Sequence, residues 1–122
     1  MIAHLDISGV KYDIDGTTRR YVVGKIGSLD RYLPRHARKS VTAEVKLKEV
    51  NRSNGNKYEC EVILHVPEHA ILAKDSTVNM LAAVDIVEEK LKNQLKKYKS
   101  ERITQRGAHG VLSRLKRSFQ RS

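Results

Sequence analysis

The chain has 122 residues, room for one compact domain but not comfortably for two, and its formal net charge is +10 with 39% apolar residues. No apolar run approaches the roughly 18 residues that a membrane span needs, and the N-terminal MIAHLDISG lacks the basic and apolar stretches of a secretory signal. A single cysteine, Cys60, excludes a disulfide framework and a cysteine-rich metal site, so a reduced, cytoplasmic setting is expected.

In chain order, residues 2–8 (IAHLDIS) place Ala3, Leu5 and Ile7 on one face and predict a short half-buried strand. In the following YDIDGTTRRYVVGKIGSLDRYLP, Val22, Ile26, Leu29 and Leu33 recur at helical spacing. Asp15 or Thr17 offers a cap, and Pro34 stops the helix. Gly24 and Gly27 each lower helix propensity by about 1 kcal/mol, so packing must hold this segment.

Two strands follow. Val41, Ala43, Val45 and Leu47 alternate with Thr42, Glu44, Lys46 and Lys48; then Tyr58, Cys60, Val62, Leu64 and Val66 form a second inward set. Between them Asn54-Gly55 marks a hairpin turn. Pro67 ends the second of these, and EHAILAKDS reads as a fourth, shorter strand. Strict alternation leaves one sheet face solvated and the other covered.

A second helix is predicted from about Thr77 to about Ser100, with Leu81, Val84, Val87, Leu91, Leu95 and Tyr98 as its apolar stripe. The order β-α-β-β-β-α predicts an α+β fold: one four-stranded mixed sheet with two helices packed on one face. The first two strands, joined through a helix, can lie parallel, and the rest are expected to be hairpin-linked. Residues 1–100 form the domain in this reading, and residues 101–122 a basic, flexible tail.

The charge is unevenly placed. Residues 1–89 carry 13 Lys/Arg and 13 Asp/Glu, whereas residues 90–122 carry 11 Lys/Arg against the single acid Glu101. Such a basic arm seeks polyanions. On the second helix Lys90 and Lys97 share one flank of the stripe, and Lys92, Lys96 and Lys99 share the other. A solvated face complementing the helix dipole accounts for any one of them. It accounts poorly for five lysines in ten residues, followed by Arg102, Arg106, Arg114, Arg117 and Arg121. With no Trp and one Phe, the chain lacks stacking platforms for single strands, and it has no zinc-finger or helix-turn-helix spacing. Lysines on helix flanks suit phosphate and shape recognition of folded RNA.

Catalysis is not expected. The five histidines are scattered, Cys60 sits on an inward strand face, and Glu59 and Glu61 have no supporting pocket residue. No cofactor, metal or small-molecule substrate is implied.

Two blocks resemble a known family. Residues ISGVKYDIDGTTRRYVVGKIGSLDRYL are similar, through Ile14, Arg19, Val22, Lys25, Leu29, Asp30, Arg31 and Tyr32, to the first helix of ribosome hibernation-promoting factors. HAILAKDSTVNMLAAVDIVEEKLKNQLKKYKSE resembles that family's L-x-A-x-(D/E)-x-x-x-D-M-Y-x-A-I-D-x-(V/L)-x-x-K-L-x-x-Q-(L/I)-x-K-(Y/L)-K signature. The resemblance covers about residues 2–100. It implies a fold similar to a double-stranded-RNA-binding domain. It also implies docking on the small ribosomal subunit between head and body, where mRNA and the A- and P-site tRNAs lie, which stops translation and preserves idle ribosomes.

Carried over as rRNA contacts are Arg19, Lys25, Lys48, Lys90 and Lys97, to which the charge argument adds Lys92, Lys96, Lys99 and Arg102. Asn79 and Leu81 replace the family's usual Asp and Tyr, and Asn93 stands where a basic residue is common. The chain is expected to be a monomeric short form, without the second domain that pairs ribosomes. Unlike the acidic tail of some short forms, its tail is basic. The competing reading is a general RNA-binding protein that meets ribosomes through charge alone.

Overall fold

The computed structural model describes residues 1–50 and 55–106. Strand β1 spans His4–Val10, helix α1 Gly16–Gly27, a 3-10 turn Ser28–Tyr32 and a short helix α2 Arg35–Arg38. Strands β2 (Thr42–Glu49), β3 (Tyr58–Val66) and β4 (His69–Thr77) follow, and helix α3 spans Met80–Arg106. The sheet order is β1-β2-β3-β4, with β1 parallel to β2 and the other two pairs antiparallel. This is the mixed four-stranded α+β sheet that the element order predicted.

The inward residues of β2 and β3 are buried as expected: Val41, Ala43, Val45 and Leu47 face the same core as Cys60, Val62, Leu64 and Val66. Register explains this. Ala43 lies opposite Leu64, Val45 opposite Val62 and Leu47 opposite Cys60, so each apolar pair points the same way. Helix α1 contributes Val22 and Ile26, and α3 contributes Val84, Val87, Leu91, Leu95 and Tyr98.

Several local expectations change. Strand β1 is His4–Val10 rather than residues 2–8; Ala3 precedes it and is exposed, while Ile2 enters the core. The first helix does not run unbroken to Pro34. The Ser28 hydroxyl donates to the carbonyls of Gly24 (2.9 Å) and Lys25 (3.2 Å), and the chain tightens into the 3-10 turn that still buries Leu29. Pro34 both stops that turn and opens α2, which buries Ala37. A Cβ at Gly27 would lie 2.8 Å from the Met1 sulfur, a crowding that the exposed Met1 side chain can relieve by moving.

Strand β4 is as long as β3, because pairing runs without interruption from Val66↔His69 to Tyr58↔Thr77. Thr77 is therefore its last residue, and α3 starts three residues later than predicted. Asn79 caps that helix, its side-chain oxygen accepting from the N–H groups of Leu81 (2.8 Å) and Ala82 (3.3 Å). Leu81 is only half-buried; Met80 and Ala83 take its place in the apolar stripe. The helix continues through Arg106, six residues into the segment read as a tail, and residues 107–122 lie outside the described ones. Of the Asn54-Gly55 turn, only Gly55 is described; its φ of 85° is the left-handed geometry the hairpin reading required.

Leu91 is fully buried under the middle of α3. Leu91→Ala is expected to cost about 2–5 kcal/mol in urea unfolding, because the rigid sheet beneath cannot collapse into the gap. Asp15 caps α1 by accepting from the Thr18 N–H at 2.7 Å, and these Thr18 bonds hold its carboxyl below the usual carboxylate range. A depressed folded value means the stabilisation is present above the unfolded value of about 3.9 and lost as pH falls through the folded one. Asp15→Ala is therefore expected to lower Tm at neutral pH. Its gap from the parent protein should close as the pH drops below about 4 in a thermal-melt series.

Candidate nucleic-acid interface

Helix α3 lies over β3 and β4 and touches α1 and the 3-10 turn along one side. At 100° per residue, Lys92, Lys96 and Lys99 fall on the side facing α1 and the 3-10 turn, and Lys90 and Lys97 on the side facing β4. The buried stripe between them fixes the helix rotation, so both rows stand at solvent margins.

The two margins use their charges differently. On the β4 side, the Lys90 ammonium sits 3.0 Å from the Asp75 carboxylate and donates to the Lys74 carbonyl at 3.3 Å. That contact, with the Ser76 N–H, keeps the Asp75 carboxyl below its ordinary range. Gln94 donates to the Leu72 carbonyl (3.1 Å), and the Tyr98 hydroxyl to the Pro67 carbonyl (3.3 Å). Since β4 is a sheet edge, the bonds to Lys74 and Leu72 occupy carbonyls that would otherwise invite another strand, while Tyr98 ties the helix to the turn before β4. Lys90 is thus a bolt between helix and edge. Lys97 is exposed beside the hollow formed with His69, Ala70, Ile71 and Gln94, and makes no ion pair among the described residues.

On the α1 side, Lys25 lies 3.5 Å from Asp85 and 3.6 Å from Glu88, with its ammonium 5.6 Å from the Tyr21 ring centroid. Glu88, then Tyr21 and Asp85, raise its pKa. Tyr21 donates to Asp85, which raises the phenol's pKa in turn. This cluster joins α1 to α3. Further along, Lys92 and Lys96 hold their ammonium groups 6.0 and 5.8 Å from the Tyr32 ring centroid, and Lys92 also reaches Glu89 at 3.9 Å. Lys99 and the exposed Arg19 make no ion pair among the described residues. Arg102 is in the last turns of α3.

Lys48 is on the opposite, open face of the sheet, on β2. It bridges Glu61 at 3.1 Å and Glu59 at 3.6 Å, and the Glu61 bond raises its pKa. Glu59 is only 5% exposed, so Lys48 supplies a nearly buried carboxylate with a counter-ion. The structure therefore gathers Lys25, Lys92, Lys96 and Lys99 on one margin, leaves Lys90 and Lys97 on the other, and sets Lys48 apart.

Burial, aided by Glu59 and Glu61, pushes the Cys60 thiol up to about 12, so it is not a nucleophile at neutral pH. Among the described residues no three His, Cys, Asp or Glu side chains gather as a metal site, and no helix is long and apolar enough to cross a membrane.

Residues 5–103, which take in all but the ends of β1 and α3, match the model of the sigma 54 modulation protein / S30EA ribosomal protein family. The chain belongs to that family. Among S30EA relatives, the ribosome hibernation promotion factor of Lactococcus lactis is 35% identical over 95 residues, covering 78% of this chain and 49% of that protein. The chain thus spans about half the length of that relative. The ribosome hibernation promoting factor of Azotobacter vinelandii is 33% identical over 100 residues, covering 81% of this chain and 85% of the other. The N-terminal domain of Thermus thermophilus Protein Y superposes with a TM-score of 0.64 at 26% identity, over 80% of this chain and 97% of that one. The S30EA relatives carry hibernation names rather than enzymatic ones, as expected of a binding protein.

Lys48→Met is expected to cost about 1–3 kcal/mol in chemical unfolding, since it strips Glu59 and Glu61 of their shared ammonium. Lys46→Met, on the same strand and exposed, should stay within about 0.5 kcal/mol of the parent.

Proposed function

We propose that this domain binds the RNA of the small ribosomal subunit through the lysine margins of α3, in the channel where mRNA and the A- and P-site tRNAs lie. It thereby silences translation and preserves idle ribosomes in the cytoplasm. The observation that carries the reading is the coincidence of two features on one helix. The family match runs through α3 to residue 103, and α3 holds Lys96, Lys97 and Lys99 without carboxylate partners among the described residues. Hibernation-factor relatives supply the ribosome as partner, and the charge supplies the means of holding rRNA.

A domain using this surface needs no cofactor and no second substrate. It competes by occupancy. The lysines already matched within the fold (Lys25, Lys48 and Lys90) contribute less to phosphate binding than the unmatched ones, because docking RNA on them must first displace a carboxylate. Unmatched ammonium groups release counterions from RNA at no such cost.

Purified small subunits provide the test. Lys96→Glu/Lys97→Glu is expected to weaken binding at least about tenfold and to flatten its dependence on salt, with an unchanged circular dichroism spectrum. Bound protein should also be displaced when mRNA and tRNA are added together. Binding that persists undiminished beside both ligands would instead mark a charge-only RNA binder outside the channel.

A further inference from the structure

Between Asp30 and Glu44 the chain carries no acid, and within that interval stand Arg31, Arg35, Arg38 and Lys39. The 3-10 turn and α2 display them. Arg31, Arg35, Arg38 and Lys39 are exposed, and none makes an ion pair among the described residues. The nearest acid in sequence, Asp30, is 13% exposed at its side chain and holds the terminal ammonium at 2.9 Å. Arg38 is committed in part to the backbone: its guanidinium donates to the Leu33 carbonyl (3.0 Å) and the Arg31 carbonyl (3.3 Å). That clip fixes α2 against the 3-10 turn, so the cations are presented on rigid backbone. Arg35, His36, Arg38 and Lys39 line one shallow hollow.

The segment meets the lysine margin of α3 at Tyr32, in the 3-10 turn. Arg31 stacks its guanidinium carbon 5.0 Å from the Tyr32 ring centroid, and Lys92 and Lys96 reach the same ring from α3 at 6.0 and 5.8 Å. Three cations converge on one half-buried ring. The ring's negative face partly offsets their repulsion, but like charges gathered this way still favour an anion among them. With its ring engaged by cations, Tyr32 is a poor platform for a stacked base, so the surface suits a sugar-phosphate backbone rather than unpaired bases.

We propose that the 3-10 turn and α2 form a second phosphate-binding segment, in which Arg31, Arg35 and Lys39 extend the α3 margin across Tyr32 to grip the backbone of double-helical RNA. The identity of that RNA as rRNA rests on the function proposed above; the phosphate chemistry does not. Arg35 and Lys39 are the informative positions, being exposed and outside the clip made by Arg38.

The experiment measures affinity for purified small subunits over a salt series. Arg35→Ser/Lys39→Ser should bind at least about fivefold more weakly at low salt, with a log–log salt slope shallower by about 1–2. Arg35→Lys/Lys39→Arg, which keeps both charges, should bind like the parent protein. Parental affinity and slope in the serine variant, beside a clear loss in Lys96→Glu/Lys97→Glu, would overturn the proposal and leave α2 a solvated face. Failure of the parent protein to bind small subunits would instead defeat the reading of function. In that case a blunt RNA duplex of about 20 base pairs decides the matter, long enough to span the roughly 16 that shape-reading domains cover. A weaker grip on it by the serine variant supports the second segment, and equal binding rejects it.

Discussion

The burial of Leu91, Leu95 and Tyr98 against the sheet determines where positive charge can stand in this protein. A helix seated on a sheet through one stripe has no freedom to rotate, because turning it would lift apolar surface worth about 25 cal/mol per Å² into water. Once Leu91 points down, lysines one residue to either side of it project sideways, at opposite margins. One margin meets the edge of β4 and the other meets α1 and the 3-10 turn. The lysines of α3 thereby stand on two defined rims rather than in a diffuse cloud.

The rims then differ by what they meet. Along β4 the backbone is an open edge, and Lys90 and Gln94 close it by donating to carbonyls. Toward α1 the helix first meets carboxylates of its own, Asp85 and Glu88, which hold Lys25. One to three turns later it meets a tyrosine surrounded by cations. Charge along that rim passes from matched to unmatched in the direction of the helix C-terminus, where the backbone dipole also favours cations. Dipole and pairing therefore act in opposite senses on an RNA ligand: the dipole steadies the lysines, while the shortage of acids leaves them free to bind phosphate.

Much of the architecture was legible because strand alternation is a strong signal. The inward sets of β2 and β3 followed from residue order alone, which also allowed the parallel first pair. What escaped was set by contacts without periodicity. The break at Ser28 depends on a hydroxyl turning back to two carbonyls, and the full length of β4 depends on its partner β3. The candidate site was legible in part. Lysine spacing located the two margins, but Lys25 finds Asp85 and Glu88 some sixty positions away, and Lys48 finds Glu61 across a hairpin. No count along the chain foretells those pairings. The cluster at residues 31–39 was hidden for a related reason: residues 1–89 sum to zero, and averaging over them erased an acid-free stretch in the middle.

The open face of the sheet completes the electrostatic design by contrast. Strand register places Lys46 opposite Glu61 and Glu61 opposite Lys74, while Lys48 stands opposite Glu59. The exception on that face is Asp6 opposite Glu44, a like-charged pair in which Glu44 turns to His65 at 3.1 Å. Cross-strand pairs of opposite sign stabilise the sheet locally, and they cancel its field at any distance beyond a few ångströms. With a Debye length of about 8 Å at physiological ionic strength, a polyanion senses only the nearest surface. It therefore finds little to hold on the sheet face and unmatched cations on the helix face. The asymmetry has one origin: the same alternation that folds the sheet pairs most charges on its outer surface, and the unmatched cations are left on the helix side.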